Sequence, residues 1–335
     1  MALRFRDEQI EMAHGAGGKA SRRLIEGLVG PLLGTEIFED AATLQIEGEL
    51  AFTTDSFVVA PLSFPGGSIG DLAVNGTVND LAVSGAKPLA LLTSLIIEEG
   101  LKTDTLKREL KAMGEAAKRA GVSIMGGDTK VVDHGKADGL YITSAGIGLK
   151  DKRLELSVNR VQAGDKVLLS GPIGNHGITI LLARGELDLE ADLQSDTRSV
   201  WPLVSKLIES IPTNLKWMRD PTRGGVASVL NELVRDTNLG IDLEEESIPL
   251  HHAVRGSCEI LGLDPLHIAN EGQFIAIVSQ SVAEQAFQTL KDAGAEAALI
   301  GSITEAHPKT VVAKTPYGGT RVVDMLVGDP LPRIC

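Results

Sequence analysis

The sequence predicts an α/β fold with mixed sheets, built as two units with an arm at each end. Three observations carry this expectation. Short apolar runs alternate with segments whose apolar residues recur at helical spacing, the pattern of strands exchanging with helices. A length of 335 residues suits two domains of ordinary size. Hydrophobic residues make up 43% and aromatics only 3%, so Leu, Ile, Val and Ala must build the core.

In order along the chain, residues 1–40 form an arm with a glycine cluster, His14-Gly15-Ala16-Gly17-Gly18, followed by a short helical pattern. Residues 50–54 read as a strand that ends at Asp55-Ser56, and Phe64-Pro65-Gly66-Gly67 reads as a turn. A helix is expected over 68–84, with Ser68 as its cap and Asp71 completing a capping-box-like start. Residues 89–97 form a continuous apolar run, as in a buried strand. In 103–120, Leu106, Leu110, Met113 and Ala117 share a helical face, and Gly121 ends the helix. Residues 122–125 are a strand running into Gly126-Gly127-Asp128-Thr129-Lys130, and 141–148 are another. These elements make a first unit over 41–155.

The second unit covers 156–325. Strands are expected at 166–170, 274–278 and 298–300, and helices at 178–184, 200–211, 226–236, 253–261 and 283–293. Residues 310–313 and 320–324 flank Pro316-Tyr317-Gly318-Gly319 as a hairpin. Residues 326–335 are read as a mobile tail, and no close internal repeat or low-complexity segment is visible.

Composition excludes several classes. Lys plus Arg number 32 against 45 Asp plus Glu, a net charge of −13, which argues against nucleic acid and anionic membrane surfaces. ATP is still possible, because carboxylates hold magnesium and magnesium holds phosphate. Two cysteines make no disulfide framework, so a cytoplasmic chain is the simplest expectation. The charged first 14 residues do not read as a signal peptide, and no apolar run approaches a membrane span.

Neither common nucleotide motif is present. Gly18-Lys19 resembles the end of a Walker loop, but Ala13 and Ala20 stand where Gly and Ser/Thr belong. Four aspartates stand out instead, each beside glycine, a small residue or an amide: Asp55, Asp80, Asp128 and Asp220. Single aspartates converging from strand ends suit magnesium, which wants oxygen ligands. Alternatively, each is a turn or cap residue. Gly126-Gly127 and Gly224-Gly225 would let backbone amides approach an anion, and the second pair precedes a helix start. Glu271 could serve as a general base in a closed site, and Lys130 could offset charge on a phosphate; either could equally be an exposed charge. His14 reads as part of a flexible lid or of a solvated arm. His251, His252 and His267 lack a metal-ligand set, and Cys258 falls on an apolar helical face. At the other end, Pro330 and Pro332 favour an extended path, so Cys335 is expected on a stiff but unfolded tip. It reads either as a carrier thiol or as a surface cysteine.

Taken together, these segments resemble a known family. Thr53-Thr54-Asp55-Ser56-Phe57-Val58-Val59, Phe64-Pro65-Gly66-Gly67, Gly76-Thr77-Val78-Asn79-Asp80-Leu81-Ala82, Gly127-Asp128-Thr129-Lys130, Asp220-Pro221-Thr222-Arg223-Gly224-Gly225-Val226, Ala269-Asn270-Glu271-Gly272 and Pro332-Arg333-Ile334-Cys335 look like the HypE family, the carbamoyl dehydratases of [NiFe]-hydrogenase maturation. The likeness runs nearly end to end. The internal motifs are shared more loosely with aminoimidazole ribonucleotide synthetase, selenophosphate synthetase and thiamine-monophosphate kinase, and the terminal Pro-Arg-Ile-Cys points to HypE among them.

The resemblance implies two domains of the aminoimidazole ribonucleotide synthetase type, a homodimer, and ATP near the dimer interface. It implies magnesium on Asp55, Asp80, Asp128 and Asp220. Asn79, Gly126, Gly127, Thr129, Thr222, Arg223 and Gly224 would line the nucleotide. Lys130 and Glu271 would sit at the reacting group, and Cys335 would carry the substrate. The implied reaction is ATP-dependent dehydration of an S-carbamoyl group on Cys335 to a thiocyanate, with HypF as carbamoyl donor and HypC–HypD as cyanide acceptor. Two positions depart from the pattern: Ser68 and Asn175 stand where relatives often have Asp. The competing readings are a non-catalytic maturation scaffold and another ATP-dependent kinase or ligase of the same superfamily.

Overall fold

The computed structural model describes residues 4–35, 41–185, 191–328 and 331–335. Pro330 and the expected boundary at residue 40 lie outside the described residues. The arm opens with α1 (Lys19–Leu24), which passes through a π-helical turn at Ile25–Val29 into α2 (Gly30–Leu33). The arm is packed rather than loose, because Leu24 and Leu28 join the core of the first unit. His14 is neither lid nor solvated: it is buried, its Nε2 lies 2.8 Å from Asp7 and its Nδ1 accepts the Glu11 amide.

The first unit contains β1 (Leu50–Phe57), β2 (Ser63–Phe64), β3 (Gly67–Ser68), α3 (Ile69–Val83), β4 (Ala86–Glu98), α4 (Thr103–Ala120), β5 (Ser123–Val132) and β6 (Leu140–Lys150). The main sheet has the order β1-β6-β4-β5, with only β4 and β5 parallel. Every residue of α3 except Asp71 and Asp80 is buried. A helix that is apolar nearly all round must be enclosed, and α3 lies between this sheet and the second unit. Ser68 is the N-cap residue, but its hydroxyl meets the Asp71 carboxylate at 3.1 Å rather than a backbone amide. Strands β1, β4, β5 and β6 are all longer than expected, β1 and β5 most consequentially. Asp55 and Ser56 lie inside β1, and Gly126 to Lys130 lie inside β5 rather than in a loop.

The second unit contains β7 (Lys166–Leu169), α5 (Asn175–Ala183), α6 (Trp201–Ser210), β8 (Leu215–Arg219), α7 (Gly225–Arg235), β9 (Gly240–Glu244), α8 (His252–Leu261), β10 (Ile275–Val278), α9 (Ala283–Asp292), β11 (Ala298–Thr304), β12 (Val311–Lys314) and β13 (Thr320–Val323). Its seven strands run β13-β12-β9-β11-β7-β10-β8. Strands β8 and β9 were not expected. In β8 the apolar pattern is broken by Lys216, which is buried because its ammonium meets both oxygens of buried Asp165, at 2.8 and 2.9 Å. Cys258 is buried, as its helical face implied.

The last five residues do not form an unfolded tip. Leu331 and Ile334 are buried in the core of the first unit, beside residues of α5 and α8. The backbone is pinned as well. Val58 N–H donates to the main-chain oxygen of Cys335 at 3.1 Å, and Ala60 N–H to the Arg333 carbonyl at 3.4 Å. Arg184 reaches the carbonyls of Pro332 and Arg333, and the Arg333 side chain pairs with Asp138 and the Val58 carbonyl. Nor is the tail extended: the chain turns at residues 331–333, with Arg333 at φ 57°, and docking against the Val58–Ala60 segment and Arg184 satisfies its carbonyls.

Candidate active site

Asp55 on β1, Asp80 on α3 and Asp220 just after β8 are brought together where the two units meet. Asp55 and Asp80 share a hydrogen bond, and the Thr53 hydroxyl donates to Asp80 at 2.6 Å. Burial raises Asp55 to about 6; Asp80 adds to this and Arg223 opposes it. Burial, then Asp80 and Asp55, raise Asp220 to about 7. Glu271 joins them. Burial pushes its carboxyl well above the ordinary range, followed by the charges of Asp196, Asp220, Asp55 and Asp80. Among the described residues, no group of three or more His, Cys, Asp or Glu closes to metal-binding distance. The donor set still fits magnesium: hard carboxylate oxygens, crowded, with Arg223 beside Asp55 and Arg219 beside Asp220 offsetting only part of their charge.

Glu271 is braced rather than free. Its amide donates to Asp196 Oδ1 and that of Gly272 to Asp196 Oδ2, both at 3.1 Å. Asn79, expected to line a nucleotide, donates from its amide nitrogen to the carbonyls of Glu271 and Arg198, and its oxygen accepts the Val200 amide. Buried Asn270 ties the Gly174 amide to the Pro221 and Ile268 carbonyls. Position 76 must be glycine for space. A Cβ there would lie 2.9 Å from the Phe57 ring and 3.8 Å from Glu271 Oε2. The Phe57 ring and Glu271 Oε2 thus both lie close to Gly76, and the residue after Phe57, Val58, holds the main-chain oxygen of Cys335 through its amide.

Asp128 and Lys130 stand apart from this cluster. The register aligns Ser56, Thr143, Ser94 and Asp128 across the sheet, with β1 and β5 at opposite edges. Three strand spacings make roughly 14 Å. The four aspartates thus divide into three plus one within a single chain. Lys130 is 62% exposed and its ammonium lies 2.7 Å from Asp128 Oδ2, holding that carboxyl below the usual range. A cavity of about 680 Å³ opens beside this edge. Gly126, Gly127, Asp128 and Thr129 line it, and Ile25 and Val29 from the π-helical turn form an apolar wall. Of the other residues expected at a nucleotide, Arg223 faces Asp55. Gly224 is the N-cap of α7 with φ 73°, and the Thr222 carbonyl accepts the Gly225 amide.

Sequence reasoning missed Asp196, Ser195, His176 and Arg184. Asp196 sits in an irregular stretch beside neither glycine nor a strand end, so only its position beneath Glu271 marks it.

Comparison with known proteins agrees with this architecture. Residues 38–150 match the AIR synthase related protein N-terminal domain, and residues 162–314 match the C-terminal domain. Fold and site thus define a protein of the AIR synthase related class. A carbamoyl dehydratase HypE from Azotobacter vinelandii is 45% identical, covering 99% of both chains. The HypE of Escherichia coli is 44% identical, covering 97% of this chain and 99% of the other. A solved hydrogenase maturation protein HypE in complex with ATP superimposes with TM-score 0.92 at 42% identity, covering 97% of this chain and 99% of that one. The chain belongs to the HypE family of hydrogenase maturation proteins. The resemblance read from the motifs, and the mixed α/β fold it implied, both stand.

The carboxylate cluster has a measurable consequence. In the unfolded chain Asp55 and Asp220 titrate near 3.8; in the fold they keep their protons to about 6 and 7. The folded state binds more protons in that interval, so metal-free stability falls as pH rises from about 4 to 7. Asp220→Asn removes one of these charges. It should raise the melting temperature at pH 8 without magnesium by about 2–5 °C, change little at pH 4, and weaken stabilisation by added magnesium. Scanning calorimetry at the two pH values checks this. A lower melting temperature for the variant at pH 8 would refute the charge crowding.

Proposed function

We propose that the chain dehydrates an S-carbamoyl group on Cys335 to a thiocyanate, at the expense of ATP. The observation that carries this reading is the docked tail: the Cys335 main-chain oxygen is held on the Val58 amide, and the preceding residue, Phe57, lies against Gly76, as does Glu271 Oε2. A relative 44% identical has been solved as a HypE–HypF complex, which supports a HypF-like carbamoyltransferase as the donor. The HypC–HypD complex is the proposed cyanide acceptor.

The chemistry needs the oxygen of Cys335–S–C(=O)–NH2 to leave. Oxide and hydroxide are poor leaving groups. Transfer of the ATP γ-phosphoryl group to the carbonyl oxygen, with loss of one N–H proton, gives Cys335–S–C(=NH)–OPO3 and ADP. Loss of the second N–H proton then expels phosphate and leaves Cys335–S–C≡N. Glu271 would take a proton from the nitrogen; its buried surroundings, which make it a stronger base than an exposed carboxylate, support this role. Asp55, Asp80 and Asp220 would hold magnesium, which supplies neutralisation of phosphate charge. The cavity at Gly126, Gly127 and Thr129 suits the nucleoside end of ATP, with Ile25 and Val29 against the base.

Lys130 and Asp128 reach the cluster if two copies pair. The face of the four-stranded sheet away from α3 and α4 is open and apolar: Phe52 is 69% exposed and Leu92 47%. Phe52 lies beside Ile147, and Leu50 beside Leu149. Burying such a face against a second copy is favourable. A two-fold axis along the strands would lay β5 of one copy over β1 of the other, bringing Asp128 and Lys130 towards the carboxylates. Phe52→Glu should convert a dimer to a monomer in analytical ultracentrifugation. A variant that sediments as the wild type would remove this face from dimerisation.

Replacing Cys335 by Ala separates the competing readings. A dehydratase loses all carbamoyl uptake, whereas a scaffold keeps partner binding and a small-molecule kinase keeps turnover.

A further inference from the structure

We propose that His176 is the positioning residue that seats the tail, and that the loop Ser195-Asp196-Thr197 ties this seat to Glu271. His176 lies in the first turn of α5 and is fully buried. Its Nε2 is 2.6 Å from the Ile334 carbonyl, the peptide oxygen next to Cys335, and its Nδ1 is 2.8 Å from Ser195 Oγ. A carbonyl only accepts, so Nε2 carries the proton. The Ser195 oxygen accepts the Thr197 amide at 3.1 Å, which leaves its hydroxyl hydrogen to donate to Nδ1. This is the neutral Nε2–H tautomer. Burial, which lowers the affinity of the imidazole for a second proton, agrees with it. The Phe64 ring packs edge-on at 5.6 Å and prevents the imidazole from turning away.

The next residue of the loop completes the connection. Asp196 accepts the backbone amides of both Glu271 and Gly272. One short segment therefore fixes the imidazole that holds the tail through Ser195, and the backbone that carries the base through Asp196. A shift of either end of this loop moves the thiol and the base relative to each other. His176 touches neither ATP nor the reacting carbon in this arrangement; it acts through the Ile334 peptide. That peptide is otherwise held by contacts on its neighbours, the Val58 bond to Cys335 and the Arg184 and Ala60 bonds to Arg333. Removing the His176 donor leaves a buried carbonyl without its partner, a loss large enough to move the docked equilibrium by about tenfold.

The part of this inference that concerns dehydration rests on the dehydratase reading; the seating part does not, and the test separates them. In the full-length protein, the rate of Cys335 alkylation by iodoacetamide reports how often the tail leaves its seat. His176→Asn can still reach Ser195 but not the tail, whereas the amide of His176→Gln extends to the Nε2 position. The Asn variant should alkylate about tenfold faster at Cys335, with the melting temperature lowered by no more than about 5 °C. Its single-turnover loss of water from carbamoylated Cys335 should slow by a similar factor at saturating Mg-ATP, without a change in the ATP concentration required. The Gln variant should recover both to within about threefold, and Ser195→Ala should shift both in the same direction by a smaller factor. Asn and Gln variants that are equally impaired would overturn the donor role, because the imidazole would then be only a filler. So would alkylation of both His176→Asn and Ser195→Ala at the wild-type rate. If the Asn variant does not fold, the comparison of Ser195→Ala and His176→Gln with wild type decides the matter by the same rates. If wild-type Cys335 is carbamoylated but never dehydrated, the dehydratase reading fails while the alkylation result still judges the seat.

Discussion

Glu271→Gln is expected to slow the dehydration of carbamoylated Cys335 by about two to four orders of magnitude, the usual loss when a positioned general base is removed. Glutamine keeps the shape and the backbone contacts to Asp196 and Asn79, so the fold and the docked tail should survive. The pH dependence gives a second handle. Burial and the neighbouring carboxylates raise Glu271 well above the ordinary value of 4.5. A base works only after losing its proton, so the single-turnover rate should climb with rising pH through an apparent pKa above the ordinary carboxylate range. The magnesium-bound site would lower that value relative to the metal-free protein. In the Gln variant the climb should vanish. Stopped reactions analysed by mass over pH 5–9 measure both effects. A Gln variant with a near-normal rate would remove Glu271 from the base role.

Lys216→Met is expected to destabilise the protein by about 3–5 kcal/mol, because it leaves the buried Asp165 charge without its partner. Both groups are almost fully buried, and the ammonium contacts both carboxylate oxygens. Asp165 also accepts the Gln162 amide and so fixes the entry to β7, while Lys216 is part of β8. Asp220 follows that strand directly, so the pair holds the end of the strand that delivers a carboxylate to the site. Replacing both partners, Lys216→Met with Asp165→Leu, should recover most of the loss, since no charge is then stranded. Urea denaturation of the single and double variants tests this. A single variant within 1 kcal/mol of wild type would show that water reaches Asp165.

Much of the fold was legible because its elements obey one period each. The helix Thr103–Ala120 shows its face through Leu106, Leu110 and Met113, and its stop through Gly121. Strand β8 was not legible, because a buried lysine looks polar until its partner, 51 residues earlier, is known. Strand β9 was missed even though Ile241 and Leu243 do alternate with polar residues. The site divides in the same way. Aspartates beside small residues and amides point to Asp55, Asp80, Asp128 and Asp220 alike, and spacing along the chain carries no information on which of them converge. Asp128 lies across the sheet from the other three, and only the strand order reveals it. Asp196 carries no local signal at all; its role comes from the two amides it accepts. The prolines predict an unfolded tip, whereas Ile334 supplies an apolar anchor and Val58 a backbone donor. A carrier role then implies release of this docked state, including the Arg333–Asp138 pair, before the thiol meets a partner.

Cys335 is proposed as both the carrier and the site of dehydration. The most direct measurement is the intact mass of the chain after incubation with its carbamoyltransferase, with and without Mg-ATP, beside Cys335→Ala. The account predicts that wild type gains one carbamoyl group without Mg-ATP supplied for the second step, loses one water from it when Mg-ATP is present, and that the alanine variant gains nothing. A chain that stays unmodified at Cys335 while the transferase is active, or a carbamoyl group that keeps its water under saturating Mg-ATP, would contradict it.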